Sequence, residues 1–169
     1  VTPHPKDFTE DICDAMGDCA TICPSINLPI QSGSDRILAL MNRSYTLERY
    51  TATIEMIRDR FPDAGVTSDL IVGFPGETEV DFNASVDALR RFRFDLVHTA
   101  AYSPRSGTVA ATMDGQLPEE EKNRRLNYVN DLQRGIALEI NKSLVGKRFS
   151  ILLDGFAPRG EDTLQGRTD

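Results

Sequence analysis

Strand-like and helix-like segments alternate along this chain, and that order constrains the fold more than any other feature. Ile26 to Ile30, INLPI, reads as a short buried strand. After Gln31–Ser34, the apolar residues Ile37, Leu38, Leu40 and Met41 recur at helical spacing, and Asp35 suits the positive end of that helix. A second helix is predicted from Thr46, a plausible N-cap, with Tyr50, Ile54, Ile57 and Phe61 on one face and Pro62 at its end. VTSDLIV, 66–72, is the next buried strand, and the glycines of GFPGE turn it into a helix capped by Thr78 with Asp81 three residues on. Phe82, Val86, Leu89 and Phe92 line the inner face of that helix. A third strand is expected over Phe94–Tyr102. Pro118 then opens a helix reaching Leu144, with an apolar stripe of Leu126, Val129, Leu132, Ile136, Ile140 and Leu144 that Gly135 weakens locally. Strand, helix, strand in this order predicts an α/β fold with a parallel sheet covered by helices.

The texture changes after Gly146. Phe149–Asp154 and the terminal LQGRTD are strand-like, with a loop over 155–160 between them. So short a tail buries too little apolar area to fold alone and reads as the opening of a further domain. The expected division is therefore 1–144 and 145–169.

Of the 169 residues 40% are apolar and 27% charged, an ordinary balance for a soluble globular protein. No stretch approaches the ~20 apolar residues of a membrane helix, so no membrane partner is expected. Three cysteines, all within the first 23 positions, do not suit a secreted disulfide framework. Both points favour a cytoplasmic location. A net charge of −7 argues against a surface that grips nucleic acid as a whole. Any RNA contact is then local, and no DNA partner is expected. The basic clusters Arg90/Arg91/Arg93, Arg124/Arg125 and Lys147/Arg148 read most simply as solvated faces.

Ligands of α/β folds gather at the carboxyl ends of parallel strands. Those ends offer Gln31 and Ser32, then Asp69 and Gly73, then Tyr102, Ser103 and Arg105. Composition and spacing leave two readings open, a small-molecule site and plain turn chemistry. GFPGE matches neither phosphate-loop pattern. Cys13, Cys19 and Cys23 lack the C-x-x-x-C-x-x-C spacing, Ile26 standing where a third ligand would fall, and read as buried or half-buried thiols. His4 and His98 are too isolated for a metal site, so neither metal ligands nor catalytic residues are assigned.

Five strings in order then carry a resemblance: HPKDF at 4–8, LPIQSGSDRILALMNRSYT at 28–46, DLIVGFPGETEVDF at 69–82, YSPRSGT at 102–108, and GRTD at the end. Together they resemble the radical S-adenosylmethionine methylthiotransferases, most closely the MiaB type that acts on dimethylallyladenosine in tRNA. The resemblance implies the second half of a partial (β/α) barrel, followed by a truncated start of the RNA-binding β-barrel called TRAM. It implies S-adenosylmethionine as cofactor, and two 4Fe-4S clusters in the full-length parent whose ligands lie outside this chain, so that the chain alone is expected to be inactive. By the same similarity Gln31 and Asp69 would meet the cofactor's ribose region and Arg43 its methionyl carboxylate, with Ser32, Gly73 and Ser103 as further contacts. Lys147, Arg148 and Arg167 would touch tRNA through a completed TRAM domain, and a reducing electron donor is a further implied partner. Two sibling activities, on threonylcarbamoyladenosine in tRNA or on a ribosomal protein, are the alternatives within the family. Ser32 where the ribosomal-protein type has His, YSPRSGT in place of its YS-x-EEGT, and the HPKDF segment favour the dimethylallyladenosine type. A non-catalytic nucleotide- or partner-binding module is the alternative from another class.

Overall fold

The computed structural model describes residues 3–158 and 162–168. Three parallel strands form one sheet in the order β1 (Ser25–Asn27), β2 (Gly65–Val72), β3 (Leu96–Ala101). Between them run α2 (Asp35–Leu40), α3 (Leu47–Arg60) and α4 (Glu79–Phe92). A short α1 (Glu10–Asp18) precedes the sheet; α5 (Val109–Thr112) and the long α6 (Glu119–Leu144) follow it. The alternation expected from the sequence is what forms, and Thr46 and Thr78 each cap a helix by accepting from the backbone N–H three residues on. The box at Thr78 is complete, because Asp81 reaches back to the Thr78 amide at 2.9 Å.

Only one face of the sheet is packed. Along β2, Val66, Ser68, Leu70 and Val72 are buried while Thr67, Asp69 and Ile71 are half exposed. The buried face meets Tyr50, Ile54 and Ile57 of α3, the four predicted residues of α4, and Val129 and Ile136 of α6, in a single cluster. A fully buried Ile, Leu or Phe of this kind contributes roughly 1.5–3 kcal/mol through area removed from water. Alternation replaces the uniformly buried strand expected over 66–72. Parallel sheets are ordinarily covered on both faces, and an open inner face is what a partial barrel has.

β1 is shorter than the predicted 26–30 because Pro29 has no N–H for the ladder. Asn27 pairs with Thr67, yet the next bridge joins Gln31 to Leu70, so β1 carries one extra residue. Side chains satisfy the interrupted backbone. Ser68 Oγ accepts from the Ile30 amide at 3.0 Å and donates to the Leu28 carbonyl at 2.8 Å. The Tyr50 hydroxyl also donates to Leu28 O at 2.7 Å, and that of Tyr45 donates to the carbonyls of Pro29 and Ile30. Burial pushes both phenols up, Tyr45 to about 12, so each remains a donor.

α6 matches its predicted limits, running unbroken through the exposed Gly135. Its stripe is mixed: Leu126, Leu132 and Ile140 pack partly against the core, whereas Leu144 reaches beyond it. β4 (Leu152–Phe156) and β5 (Leu164–Arg167) form a separate antiparallel hairpin. β4 starts three residues later than expected and takes in Gly155 and Phe156 from the predicted loop, since strand forms only where β5 supplies a partner. Arg159, Gly160 and Asp169, which belong to the predicted loop and terminal strand, lie outside the described residues. Among the described residues no helix is long and apolar enough to cross a membrane.

Candidate functional site

A cleft of about 690 Å³ opens at the carboxyl ends of β2 and β3, lined by Arg43, Ile71, Phe74, Tyr102, Ser103 and Arg105 among others. Arg43 is delivered by the way α2 ends. Asn42 takes the left-handed conformation at φ 57°, its amide bonds Ala39 O, and the Arg43 amide bonds Leu38 O at 2.8 Å. This is a Schellman motif with Asn in the position that usually needs glycine. At its other end α2 is pressed against α4, where a side chain on Gly33 would sit 2.4 Å from the Ala84 carbonyl. Ser34, Arg36 and Thr78 all converge on Asp81. Burial opposes ionisation of Asp81, but those hydrogen bonds hold its carboxyl well below the usual carboxylate range.

The cleft floor is fixed from behind by α6. Glu77 Oε2 accepts from the amides of Gly73 at 2.8 Å and Phe74 at 3.3 Å, and its other oxygen receives Arg125 Nη1 at 2.7 Å. Lys122 donates to the Tyr102 carbonyl at 3.1 Å and pairs with Glu119. Burial pushes the Glu77 carboxyl up, against the pull of Arg125 and the two amides. Arg125 is buried in this pair rather than on the solvated face expected for Arg124/Arg125. Lys122 and Arg125 fall on the same helical stripe as Val129 and Ile136. Charged residues on a stripe otherwise committed to the core were the available signal of this clamp.

In the cleft itself the polar groups are less well provided for. Arg43 Nε and the Tyr102 hydroxyl are both buried without a hydrogen-bond partner among the described residues. Orphaned buried donors of this kind call for acceptors from a water or a ligand. The Tyr102 ring is held edge-on against Phe74 at 5.2 Å.

The six residues expected to contact a cofactor separate into three groups. Arg43 and Ser103 line the cleft. Gln31, beyond the end of β1, bridges to β2, where its amide bonds Asp69 O at 2.8 Å, and Asp69 shares the open face with Ile71 of the cleft. Gln31 is held at φ 62°, a strained conformation for a non-glycine residue. Asn27 donates to Asp69 Oδ2 at 3.1 Å and accepts from Thr67, so the carboxylate is oriented along the open face. Ser32 and Gly73 make the third group, with polar atoms engaged inside the protein. The Ser32 side chain is buried against Ser34 and Ser85, and the Gly73 amide is already given to Glu77.

Of the expected RNA contacts, Lys147 and Arg148 are exposed, and Arg167 is paired with Asp154 across the hairpin at 2.9 Å. Cys13 is buried in α1, where burial raises its thiol, Cys19 is half-buried, and Cys23 is exposed rather than packed. Among the described residues no group of three or more His, Cys, Asp or Glu is arranged to hold a metal ion.

An open-faced parallel sheet with a cleft at its carboxyl end suits part of a (β/α) barrel, and sequence comparison identifies which. Residues 1–89 match the profile of the Radical SAM superfamily, and the chain belongs to that superfamily. It is 47% identical over 98% of its length to a tRNA-2-methylthio-N(6)-dimethylallyladenosine synthase of Mycobacterium ulcerans, covering 31% of that protein. A relative of the same name from Acetivibrio thermocellus is 45% identical over 99% of this chain, which covers 35% of it. The chain thus spans about a third of the length of these curated relatives. Its fold resembles coproporphyrinogen III oxidase (HemN) from Escherichia coli, a radical SAM enzyme, with a TM-score of 0.61 and 20% identity over 83% of this chain and 31% of that one.

Proposed function

We propose that this chain is the cofactor- and substrate-orienting part of a tRNA methylthiotransferase, acting on N6-dimethylallyladenosine. The observation that carries the reading is the buried Arg43 Nε, unpartnered among the described residues, at a cleft that none of their acidic side chains lines, in a chain nearly half identical to synthases of that name. S-adenosylmethionine reduced by a 4Fe-4S cluster supplies the radical chemistry, with the ligands of both clusters outside this chain. Arg43 would fork onto the methionyl carboxylate, a charge-assisted contact suited to a guanidinium. Asp69, oriented by Asn27, would accept from the ribose hydroxyls, and the Gln31 side chain would approach the same sugar. Ser103 and the Tyr102 hydroxyl would serve the adenosine side. We further assign 1–144 to the barrel half and 145–169 to the start of an RNA-binding domain, with Lys147 and Arg148 toward tRNA and Arg167 joining them only if Asp154 releases it. A reducing electron donor is the other partner required, and a cytoplasmic setting fits the substrate.

Mass spectrometry of bulk tRNA tests the reading. A strain lacking its own tRNA methylthiotransferase is supplied with the complete gene containing this sequence, and return of the methylthio group on dimethylallyladenosine is the expected result. With the protein expressed and its clusters loaded, unmodified tRNA would refute the assigned substrate.

A further inference from the structure

We propose that Arg105 forms a second anion site at the rim of the cleft, which takes a backbone phosphate of the RNA substrate. This rests on the reading of the cleft as the place where a tRNA nucleoside is modified. Across the acidic body of the molecule arginines are largely neutralised: Arg36 by Asp81, Arg91 by Glu55, Arg93 by Glu139, and Arg124 by Glu79 and Glu121. The two that line the cleft, Arg43 and Arg105, have no carboxylate partner among the described residues, and no acidic side chain lines the cleft with them. They reach it from separate elements, Arg43 from the end of α2 and Arg105 from the turn after β3. Their surroundings differ in a way that separates their ligands. Arg43 has a buried, unpartnered donor, which suits a small anion enclosed in the cleft. Arg105 is exposed, while its backbone is fixed by Thr108, whose hydroxyl donates to the Arg105 carbonyl at 2.8 Å. A guanidinium that stays in water suits an anion that also stays hydrated. The phosphate of a strand crossing the cleft mouth is such a group.

The test is the salt dependence of binding between the complete, cluster-loaded protein and a fluorescently labelled tRNA. One phosphate contact adds roughly 0.7–0.9 to the slope of log affinity against log salt. Arg105→Ala should lower the slope by about that amount, so across a fourfold rise in salt the wild type loses about threefold more affinity than the variant. Arg105→Lys, which keeps the charge, should restore most of the slope, and S-adenosylmethionine affinity should be unchanged in both. An unaltered slope overturns the phosphate site. So does a loss of S-adenosylmethionine affinity in Arg105→Ala, which would make Arg105 a cofactor contact, and so does failure of the wild type to bind the tRNA. Arg43→Ala in the same preparation separates the two claims: unchanged cofactor affinity there sinks the cofactor reading, while the slope for Arg105→Ala still decides the phosphate site.

Discussion

Two clusters of charge sit within a few residues of each other at the carboxyl end of this sheet, and they are built on opposite terms. Behind the floor, Glu77, Arg125 and Lys122 are almost fully buried, and each charge has its counterpart or a backbone partner. In front of it, Arg43 and Tyr102 each carry a donor with nothing to donate to among the described residues. Removing charge from the first cluster strands its partner in a low-dielectric site, whereas removing it from the second relieves an unmet demand. The clamp should therefore carry stability and the cleft should carry binding.

The largest expected effect breaks the clamp. Arg125→Ala leaves Glu77 buried and unpaired and should destabilise the fold by about 3–5 kcal/mol, read from urea denaturation. Arg43→Ala is the mirror case. Its loss should leave the denaturation midpoint nearly unchanged, within about 0.5 kcal/mol, while the complete protein binds S-adenosylmethionine roughly 10- to 100-fold more weakly, as removal of one charge-assisted contact predicts. A large stability loss in Arg43→Ala, or none in Arg125→Ala, would mean that the two clusters have been assigned the wrong way round.

A third, graded test uses pH. Asp81 and Glu121 titrate below their ordinary ranges, Glu121 at about 2, through hydrogen bonds from Arg36, Ser34 and Thr78 in one case and Arg124 and Arg125 in the other. Carboxyls with depressed folded-state pKa values stabilise fully above their unfolded values, near pH 4, and progressively less as acid protonates them. Melting temperature should fall below about pH 4.5 as these two carboxyls are protonated, the fall partly offset by Glu77, whose raised carboxyl works in the opposite sense. Asp81→Asn should flatten part of that acid limb, and an identical limb in the variant would show that Asp81 is not responsible.

The sequence made the helical and strand order legible because capping chemistry and apolar period agree with the tertiary packing in α3, α4 and α6. It did not reveal the bulge of β1, since nothing in INLPI says that the hydroxyls of Ser68, Tyr45 and Tyr50 will satisfy the backbone around Pro29. Within the site, Arg43 was legible only through family resemblance, because its place depends on Asn42 adopting a left-handed turn. The internal partners of Ser32 and Gly73 were hidden for a common reason. Both sit at strand ends in the linear order, but their polar groups are taken by partners far along or around the turn, Ser85 for one and Glu77 for the other. Arg125 was hidden by its neighbour, since Arg124 does face solvent with Glu121 and Glu79.

The smallest effects come from two glycines that test how far the clamp extends. Gly73 sits at φ 73° on the cleft floor, where a Cβ would lie 2.4 Å from Lys122 Cγ. Gly73→Ala should destabilise by at least about 1–2 kcal/mol, since a left-handed conformation costs an L-residue that much before Lys122 is displaced. Gly135 lies on the solvated side of α6 with nothing within 4 Å of an added Cβ. Gly135→Ala should stabilise by roughly 0.5–1 kcal/mol through helix propensity alone and leave cofactor affinity untouched. If instead Gly135→Ala altered binding, α6 would be transmitting strain along its length to Lys122 and Arg125, and the division between a structural clamp and a binding cleft would have to give way to a single coupled unit.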